Sequence, residues 1–490
     1  MVKNILGKLN QKIKYLKPNE IANIRRAVDF AEHAHDGQKR LTGDPYFRHP
    51  LEVASAVADL KLDADAITAA VLHDTVEDTG ININEIKKKF GGHVAQLVNG
   101  ITKLGQVRIS KSWFTPFRQK TEQITKYESQ IETLRKMFVA MSKDLRVILI
   151  KLADRICNLQ TLSYLPSDKQ KRIAQETMDI YAPIAGRLGI GEFHGRLEDA
   201  AFSYLEPTEF KNLRKLAIPV IEARKEYLNT ISKKLLDLLA KNGINCYITY
   251  RAKTWYSLYR KLLKYDRDIN KIYDIVAMRV VVPAIDDCYN VLGLIHSVWR
   301  PLPGRIKDYI ALPKPNGYQS IHTTVFADNG IITEVQIRTG AMNEQAEFGV
   351  AAHWYYSEKK ISRRFPKQQL AWVRELAKWQ SKIKSATDLR QALKLDFFKN
   401  RIFVFTPKGD VIDLPQGATP IDFAYAVHSD VGNQCHGARV NGKYENITSE
   451  LNNGDVVDIV KKKKSRPNKD WLNFVKTEHA RSCIKKSAKQ

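Results

Sequence analysis

The stretch LHDTVEDT places one imidazole and three carboxylates within six positions, as His73, Asp74, Glu77 and Asp78. On a helix, His73 and Glu77 share one stripe, and Asp74 and Asp78 share the next. Imidazole with carboxylate suits a hard or borderline divalent cation, and a spare carboxylate can take a water's proton. A lone His-Asp pair is more often an accident of a helix surface. Here His49 in FRHP and Asp154 in IKLADRICN must also be explained, and burying so many acids without a cation would be costly.

A second group lies in GRIKDYIALPKPNGYQSIHTTV, Gly304–Val325. Arg305, Lys307 and Lys314 suit phosphate oxygens, Tyr318 offers a stacking face, and Asn316 and His322 offer polar contacts to a base edge. Read alone, the segment is as well explained by a basic surface loop anchored by Tyr318. Asp274 precedes the apolar run IVAMRVVV, and Glu334 lies in IITEVQIRT. If those runs are neighbouring strands, the two carboxylates can share Mg²⁺ at a nucleoside triphosphate. By themselves, two such distant acids are more often strand-end solvation.

The elements that must position these groups change type along the chain. Up to about residue 200 the apolar spacing is helical, with runs at Leu51–Leu60, Ala64–Asp78 and Leu134–Met141. Gln106–Tyr127 lacks that regularity and reads as a loop or lid. Glu209–Asn242 reads as a spacer helix with a solvated basic face. Beyond it, Ile275–Val282, Ile321–Phe326 and Ile331–Ile337 read as strands and Asp286–Val298 as a helix, which gives an α/β domain with a mixed sheet. Glu358–Lys384 returns to basic helix. Arg401–Thr406, Val411–Leu414 and Asp455–Val460 read as short strands around a helix near Ile421–Val427, a small β-grasp pattern. The tail KKKKSRPNKDW reads as a solvated linker.

The 490 residues carry 79 Lys and Arg against 53 Asp and Glu, a formal charge of +26. That bias favours polyanionic partners without choosing among nucleotide, RNA or acidic membrane. Five widely spaced cysteines without a CxxC fit a reducing compartment and argue against a disulfide framework or a four-thiolate zinc site. No apolar run reaches the ~18 residues of a membrane span. A soluble cytoplasmic protein is expected.

The flanks narrow the reading. AHDGQKRLTGDPYFRHP, ITAAVLHDTVEDT, LRKMFVAMSKDLRVILIKLADRICNLQTL and YAPIAGRLGI resemble the HD hydrolase half of the RelA/SpoT family. YRAKTWYSLYRK, IYDIVAMRVVV, the Gly304–Val325 passage with its upstream helix, and EVQIRTGAMNEQAEFGVAAHW resemble that family's synthetase domain. DFAYAVHSDVGNQCHGARVNGK resembles its TGS domain. The resemblance implies a multidomain α and α/β protein: an all-helical HD hydrolase domain (1–200), a helical linker (201–242), a nucleotidyltransferase-like mixed-sheet synthetase domain (243–385), a small β-grasp TGS domain (399–462) and a basic tail (463–490). It implies a bifunctional enzyme of the stringent response. One site would pass pyrophosphate from ATP to the 3′-hydroxyl of GDP or GTP, and the other would hydrolyse the product, (p)ppGpp.

The same resemblance implies residue roles. His49, His73, Asp74 and Asp154 would hold Mn²⁺, with Glu77 and Asp78 activating water and Arg40, Thr42, Asn158 and Thr161 contacting the nucleotide. Asp274 and Glu334 would hold Mg²⁺, with Glu334 also activating the hydroxyl. Arg251 and Arg279 would sandwich adenine, while Lys253, Ser257 and Lys261 address ATP phosphates. Tyr318 would stack on guanine, with Lys314, Asn316 and His322 completing the acceptor site. Arg305-Ile306-Lys307-Asp308 is the basic signature of the family's bifunctional members. His428 matches a position tied to the tRNA 3′ end, which makes ribosome or tRNA contact an expected partnership. The chain departs from the family at Thr42-Gly43-Asp44, Cys157, Gly186, Tyr250 and Ala252. The family's longer members continue further, whereas this sequence stops at Gln490. An RNA nucleotidyltransferase with an appended HD phosphatase, and a ribosome-associated sensor with degenerate sites, are the competing readings.

Overall fold

Helical apolar spacing in the first 205 residues produces a succession of short helices, among them Pro18–Ala34, Arg48–Asp59, Ala64–Leu72, Gly92–Gly105, Leu145–Gln160 and Gly191–Leu205. The computed structural model describes residues 2–105, 136–137, 139–141, 143–314, 316–352, 401–462 and 466–487. The expected lid at 106–127 and the basic helix at 358–384 lie outside them. The described residues fall into two compact units, divided between residues 378 and 379.

The expected helix over Ala64–Asp78 is broken at the point that matters. It ends at Leu72 and resumes as a single turn, Thr75–Asp78. His73 Nδ1 takes the Ala70 carbonyl at 2.7 Å, and Thr75 Oγ1 donates to the Leu72 carbonyl at 2.6 Å. Side chains thus occupy carbonyls that a continuous helix would use for its own amides. The break lets His73 and Asp74 turn together toward the helices on either side.

The expected spacer helix is a core element. Helix Pro207–Lys241 buries Leu213, Ala217, Ile221, Leu228, Ile231, Leu235 and Leu239 in the same cluster as sheet residues Met278, Val280, Val335 and Ile337. Basic residues are spread along it, but the apolar positions recur at helical spacing and form one stripe.

The sheet in that cluster contains β1 (Tyr247–Ala252), β2 (Val276–Val282), β3 (Arg300–Pro301), β4 (Lys307–Asp308), β5 (Ile321–Phe326) and β6 (Ile332–Thr339). The order is β1-β2-β6-β5-β3, with β4 paired to β5. β2 and β6 run parallel and the other pairs antiparallel, so the sheet is mixed, as expected. Alternation on β6 sends Val335 and Ile337 into the core and puts Glu334, Gln336 and Arg338 on the opposite face. On β5, His322 pairs with Gln336 and Thr324 with Glu334.

In the second unit, hairpin β7 (Arg401–Phe405) and β8 (Val411–Pro415) meets the sheet β10-β9-β11 through a parallel bridge from Phe405 to Val456. These last strands are β9 (Cys435–Val440), β10 (Lys443–Glu445) and β11 (Val457–Lys461). Helix Pro420–Val427 packs over them. The described residues of the expected linker are mostly exposed up to Asp470, and the chain folds beyond it: Trp471, Val475, Ala480 and Ile484 join the core with Tyr425 and Cys435. Buried Asp422 ties it down. Its carboxylate caps its own helix through Thr419 and also accepts the Lys476 and Thr477 amides at 2.7–3.1 Å.

Candidate active sites

Helix Arg48–Asp59 supplies His49, the broken segment supplies His73 and Asp74, and helix Leu145–Gln160 supplies Asp154. These groups converge. His49 Nε2 lies 3.1 Å from Asp154 Oδ1 and 3.7 Å from Asp74 Oδ2, while His73 Nε2 lies 3.1 Å from Asp74 Oδ1 and 4.0 Å from Asp154 Oδ1. Ligand atoms of His49, His73 and Asp74 all fall within 4.8 Å of one another. His73 Nε2 is buried without a hydrogen-bond partner, while its Nδ1 is fixed on the Ala70 carbonyl. That is how a metal-binding histidine is oriented. Two imidazole nitrogens and two carboxylates fit a divalent cation.

The surroundings are tuned as well. Burial pushes the Asp154 carboxyl up, but Lys151 at 2.7 Å and the two histidines bring it well below its ordinary value. Glu77 is raised by burial, against the pull of Lys151. Asp78 accepts from Tyr46 Oη at 2.6 Å, and the same hydroxyl lies 3.0 Å from Asp74 Oδ2. Tyr46 escaped the sequence reading because a tyrosine carries no charge signal. Arg40 donates to Asn158 Oδ1 at 2.9 Å, and Asn158 donates to Asp154 at 2.6 Å. Two residues assigned to the nucleotide are thereby wired to a ligand carboxylate. Thr161 bonds the Asn158 carbonyl, while Thr42 bonds Asp44 within its own loop. Cys157 is buried, and burial pushes its thiol up to about 12.

The sheet carries the second group. Arg251 on β1 pairs with Ala277, and Arg279 on β2 pairs with Thr249, so both arginines sit on adjacent strands. The Arg279 guanidinium holds Glu347 at 2.7 Å. Asp274 is gripped by Lys253 at 2.8 Å and by Lys261; Ser257 lies one turn before Lys261 on helix Trp255–Lys264. The two lysines expected to address phosphates therefore contact an expected metal ligand. Glu334 would be raised by burial, but hydrogen bonds from His322 and Gln336, with the charge of Lys253, hold it at about 2. It is an anion at neutral pH. Among the described residues, the metal-ligand cluster is the His49 group; Asp274 and Glu334 are instead paired with lysines and an imidazole.

The Gly304–Val325 segment folds back over this face. Lys307 pairs with His322 across β4 and β5. Lys314 Nζ lies 4.7 Å from the Tyr309 ring and 5.0 Å from the Tyr318 ring. Burial, with Lys307 and Arg251 nearby, pushes it down to about 8. Asn316 caps its own turn at the Tyr318 amide and reaches the Gly186 carbonyl at 3.5 Å. Arg305 is exposed at the entrance of the segment. Sequence reasoning missed Tyr309 and Arg338. The latter is fully buried beside Tyr318, and its only sequence signal was an arginine in phase with Glu334 on a strand.

Gly186 and its neighbours bring the helical half against this segment. Gly189 has φ +75°, and a Cβ there would lie 3.1 Å from the Asn316 carbonyl; one on Gly349 would lie 2.3 Å from the Leu188 carbonyl. Val350 donates to that carbonyl at 3.0 Å. Only glycines allow the two backbones to cross so closely. Tyr250, where the chain departs from the family, anchors β1 through Ser232 at 2.7 Å, and Ala252 pairs with Val276. In the second unit, exposed His428 caps the turn Ser429–Asn433 by accepting the Asp430 amide at 3.2 Å.

Residues 27–191 match the HD domain, residues 250–361 the region found in RelA/SpoT proteins, and residues 402–461 the TGS domain. A bifunctional (p)ppGpp synthase/hydrolase SpoT of Escherichia coli is 42% identical over 98% of this chain and 67% of its own length. The chain belongs to the RelA/SpoT family. A guanosine-3′,5′-bis(diphosphate) 3′-pyrophosphohydrolase of Aquifex aeolicus is 44% identical over 96% of this chain and 65% of that one. A GTP pyrophosphokinase of Myxococcus xanthus is 44% identical over 95% of this chain and 60% of that one. The chain thus spans about three-fifths to two-thirds of these RelA/SpoT relatives' length.

Proposed function

We propose that the chain makes and destroys (p)ppGpp at two separate sites. The observation that carries this reading is the coexistence, in one RelA/SpoT chain, of a convergent His49–His73–Asp74–Asp154 cluster and a cation-rich nucleotide face around Glu334.

For hydrolysis, His49, His73, Asp74 and Asp154 would hold Mn²⁺, whose chemistry would be positive charge at the phosphate and a lowered water pKa. Glu77 and Asp78 take the water's proton, and Tyr46 fixes Asp78. Arg40, Asn158, Thr42 and Thr161 hold the nucleotide so that the 3′-pyrophosphate meets the water. The products are GDP or GTP and pyrophosphate.

For synthesis, Asp274 and Glu334 would hold Mg²⁺, whose chemistry would be to offset charge on the phosphates. Lys253, Ser257 and Lys261 bind the ATP phosphates, so the lysines leave Asp274 as ATP arrives. Arg251 and Arg279 enclose adenine; Tyr318, Lys314, Asn316 and His322 take the guanine nucleotide, with Arg305 and Lys307 at its entrance. The 3′-hydroxyl donates to Glu334, which takes its proton as the oxygen bonds to the β-phosphorus of ATP; the bridge between the α- and β-phosphorus breaks and AMP leaves with the bridging oxygen. Such nucleotides are cytoplasmic, and the second unit adds ribosome or tRNA contact through His428. Because running both sites together would waste ATP, the two halves favour one activity at a time.

The test resolves nucleotides after incubation with ATP, GDP and Mg²⁺, and separately with ppGpp and Mn²⁺. Guanosine tetraphosphate and AMP are expected from the first, GDP and pyrophosphate from the second. Nucleotide addition to RNA with no guanosine tetraphosphate would overturn the reading.

A further inference from the structure

We infer that Arg338 is a positioning residue that sets the hydrogen-bond direction of the acceptor side of the synthetase site, an inference that rests on the synthetic reading above. Five side chains form a closed ring. Arg338 Nη2 donates to Tyr318 Oη at 2.7 Å and to Gln336 Oε1 at 2.7 Å. Tyr318 Oη lies 2.8 Å from His322 Nε2. His322 Nδ1 lies 3.3 Å from Glu334 Oε1, and Gln336 Nε2 donates to that same oxygen at 2.9 Å.

A guanidinium has only donors, so the ring has one consistent direction. Both Nη2 hydrogens are used. Gln336 must accept with its oxygen and therefore turns its amide nitrogen to Glu334. Tyr318 accepts from Arg338 and, with His322 kept neutral by burial among Lys314 and Arg338, gives its own proton to His322 Nε2. His322 then carries its hydrogen on Nδ1, facing Glu334. Both arms deliver a donor to Glu334 Oε1, leaving Oε2 for a cation or for the acceptor's hydroxyl. The guanidinium carbon also lies 5.0 Å from the Tyr318 ring centre, which fixes the ring expected to stack on guanine.

Stability alone does not account for this arginine. It is 0% exposed, and its Nε and Nη1 have no hydrogen-bond partner. Leaving two buried donors unpaired is costly, and an apolar residue on β6 would avoid that cost. Local rules broken in this way mark functional positions.

The test uses the full chain labelled at histidine with ¹⁵N, the His322 signals being those lost in His322→Gln. The expected wild-type spectrum is that of a neutral imidazole protonated at Nδ1. In Arg338→Met, that signature gives way to mixed tautomers, and kcat for synthesis falls about tenfold or more. KM for ATP stays near wild type, showing that the sheet is folded, and the rate of ppGpp hydrolysis is unchanged. Arg338→Lys recovers part of kcat. Tyr318→Phe cuts one arm while keeping the buried guanidinium, and it too should release the His322 tautomer. An unchanged His322 spectrum in both Arg338→Met and Tyr318→Phe would overturn the proposal, as would wild-type kcat in Arg338→Met. If the wild type makes no guanosine tetraphosphate, the synthetic reading fails, while the spectra still decide whether Arg338 directs the ring.

Discussion

In the helical site, two imidazoles and two carboxylates converge with Lys151 as the near cation, whereas on the sheet each acid is already held. Asp274 has two lysines, and Glu334 has His322 and Gln336, amid Arg251, Arg279, Lys314 and Arg338. The first site has ligand atoms in search of a cation; the second has cations in search of a polyanion. On the proposed reading, a metal would complete the first constellation, and nucleotide phosphates would draw the second's lysines away from its carboxylates, a division that would suit two opposed reactions on one nucleotide.

The strongest way to break this comparison is to remove one ligand from each site. His73→Ala should abolish hydrolysis and spare synthesis, and Asp274→Ala should do the reverse. Losing metal-held charge is worth several kcal/mol at a phosphoryl transition state, on the order of 10³-fold in rate. Separate assays of the two reactions check this. If either change silenced both activities in a folded chain, the two-site assignment would be wrong.

Leu235→Ala asks whether the two halves are held separately. Its side chain is fully buried in the cluster shared with the sheet, so truncation should cost about 2–5 kcal/mol. Because that cluster is the sheet's, synthesis should fail at a lower temperature than hydrolysis in assays after graded heating. Simultaneous loss of both would show that the halves unfold together.

A gentler probe is metal alone. Mn²⁺ without nucleotide should raise the melting temperature of the wild type, since a ligand at a hundredfold its Kd stabilises by about 2.7 kcal/mol. His49→Ala should remove most of that rise, and Asp274→Ala should leave it. A rise of equal size in all three proteins would show that the ion binds elsewhere.

How much of this was legible in the sequence depended on the kind of signal. His73 and Asp74 could be read because charge and spacing are local, and β2 because its apolar run is interrupted only by Arg279. The break after Leu72 could not be read, since it arises from side chains capturing carbonyls one turn back. Helix Pro207–Lys241 was misread as a spacer because its scattered lysines and arginines draw the eye from the apolar stripe that decides its burial. The fold beyond the lysine run could not be read either, because its anchor, Asp422, lies 54 residues before the Lys476 amide that it accepts. Tyr46 and Arg338 matter through partners distant in sequence, and a single chain without its fold offers no sign of which partners those are.

The smallest expected effect separates the two sites by pH. Lys314 is pushed down to about 8 by burial against Tyr309 and Tyr318 and by its cationic neighbours. Below that value the group is charged and can bind the acceptor's phosphates; as pH rises through it, the charge is lost. The residue as a whole is exposed, and water reaching the ammonium relieves part of the burial, so the fall should begin no lower than pH 8. kcat/KM for GDP should then drop toward tenfold per pH unit, the limit for one essential proton, while kcat at saturating GDP changes less because bound phosphate keeps the ammonium charged. Lys314→Arg, whose guanidinium stays protonated, should flatten the profile. Hydrolysis, measured on the same protein, should show no matching change on that substitution. If Lys314→Arg left the alkaline limb of synthesis where it was, the titrating group would lie elsewhere, and the excess of cations on the sheet would have to be assigned to ATP alone.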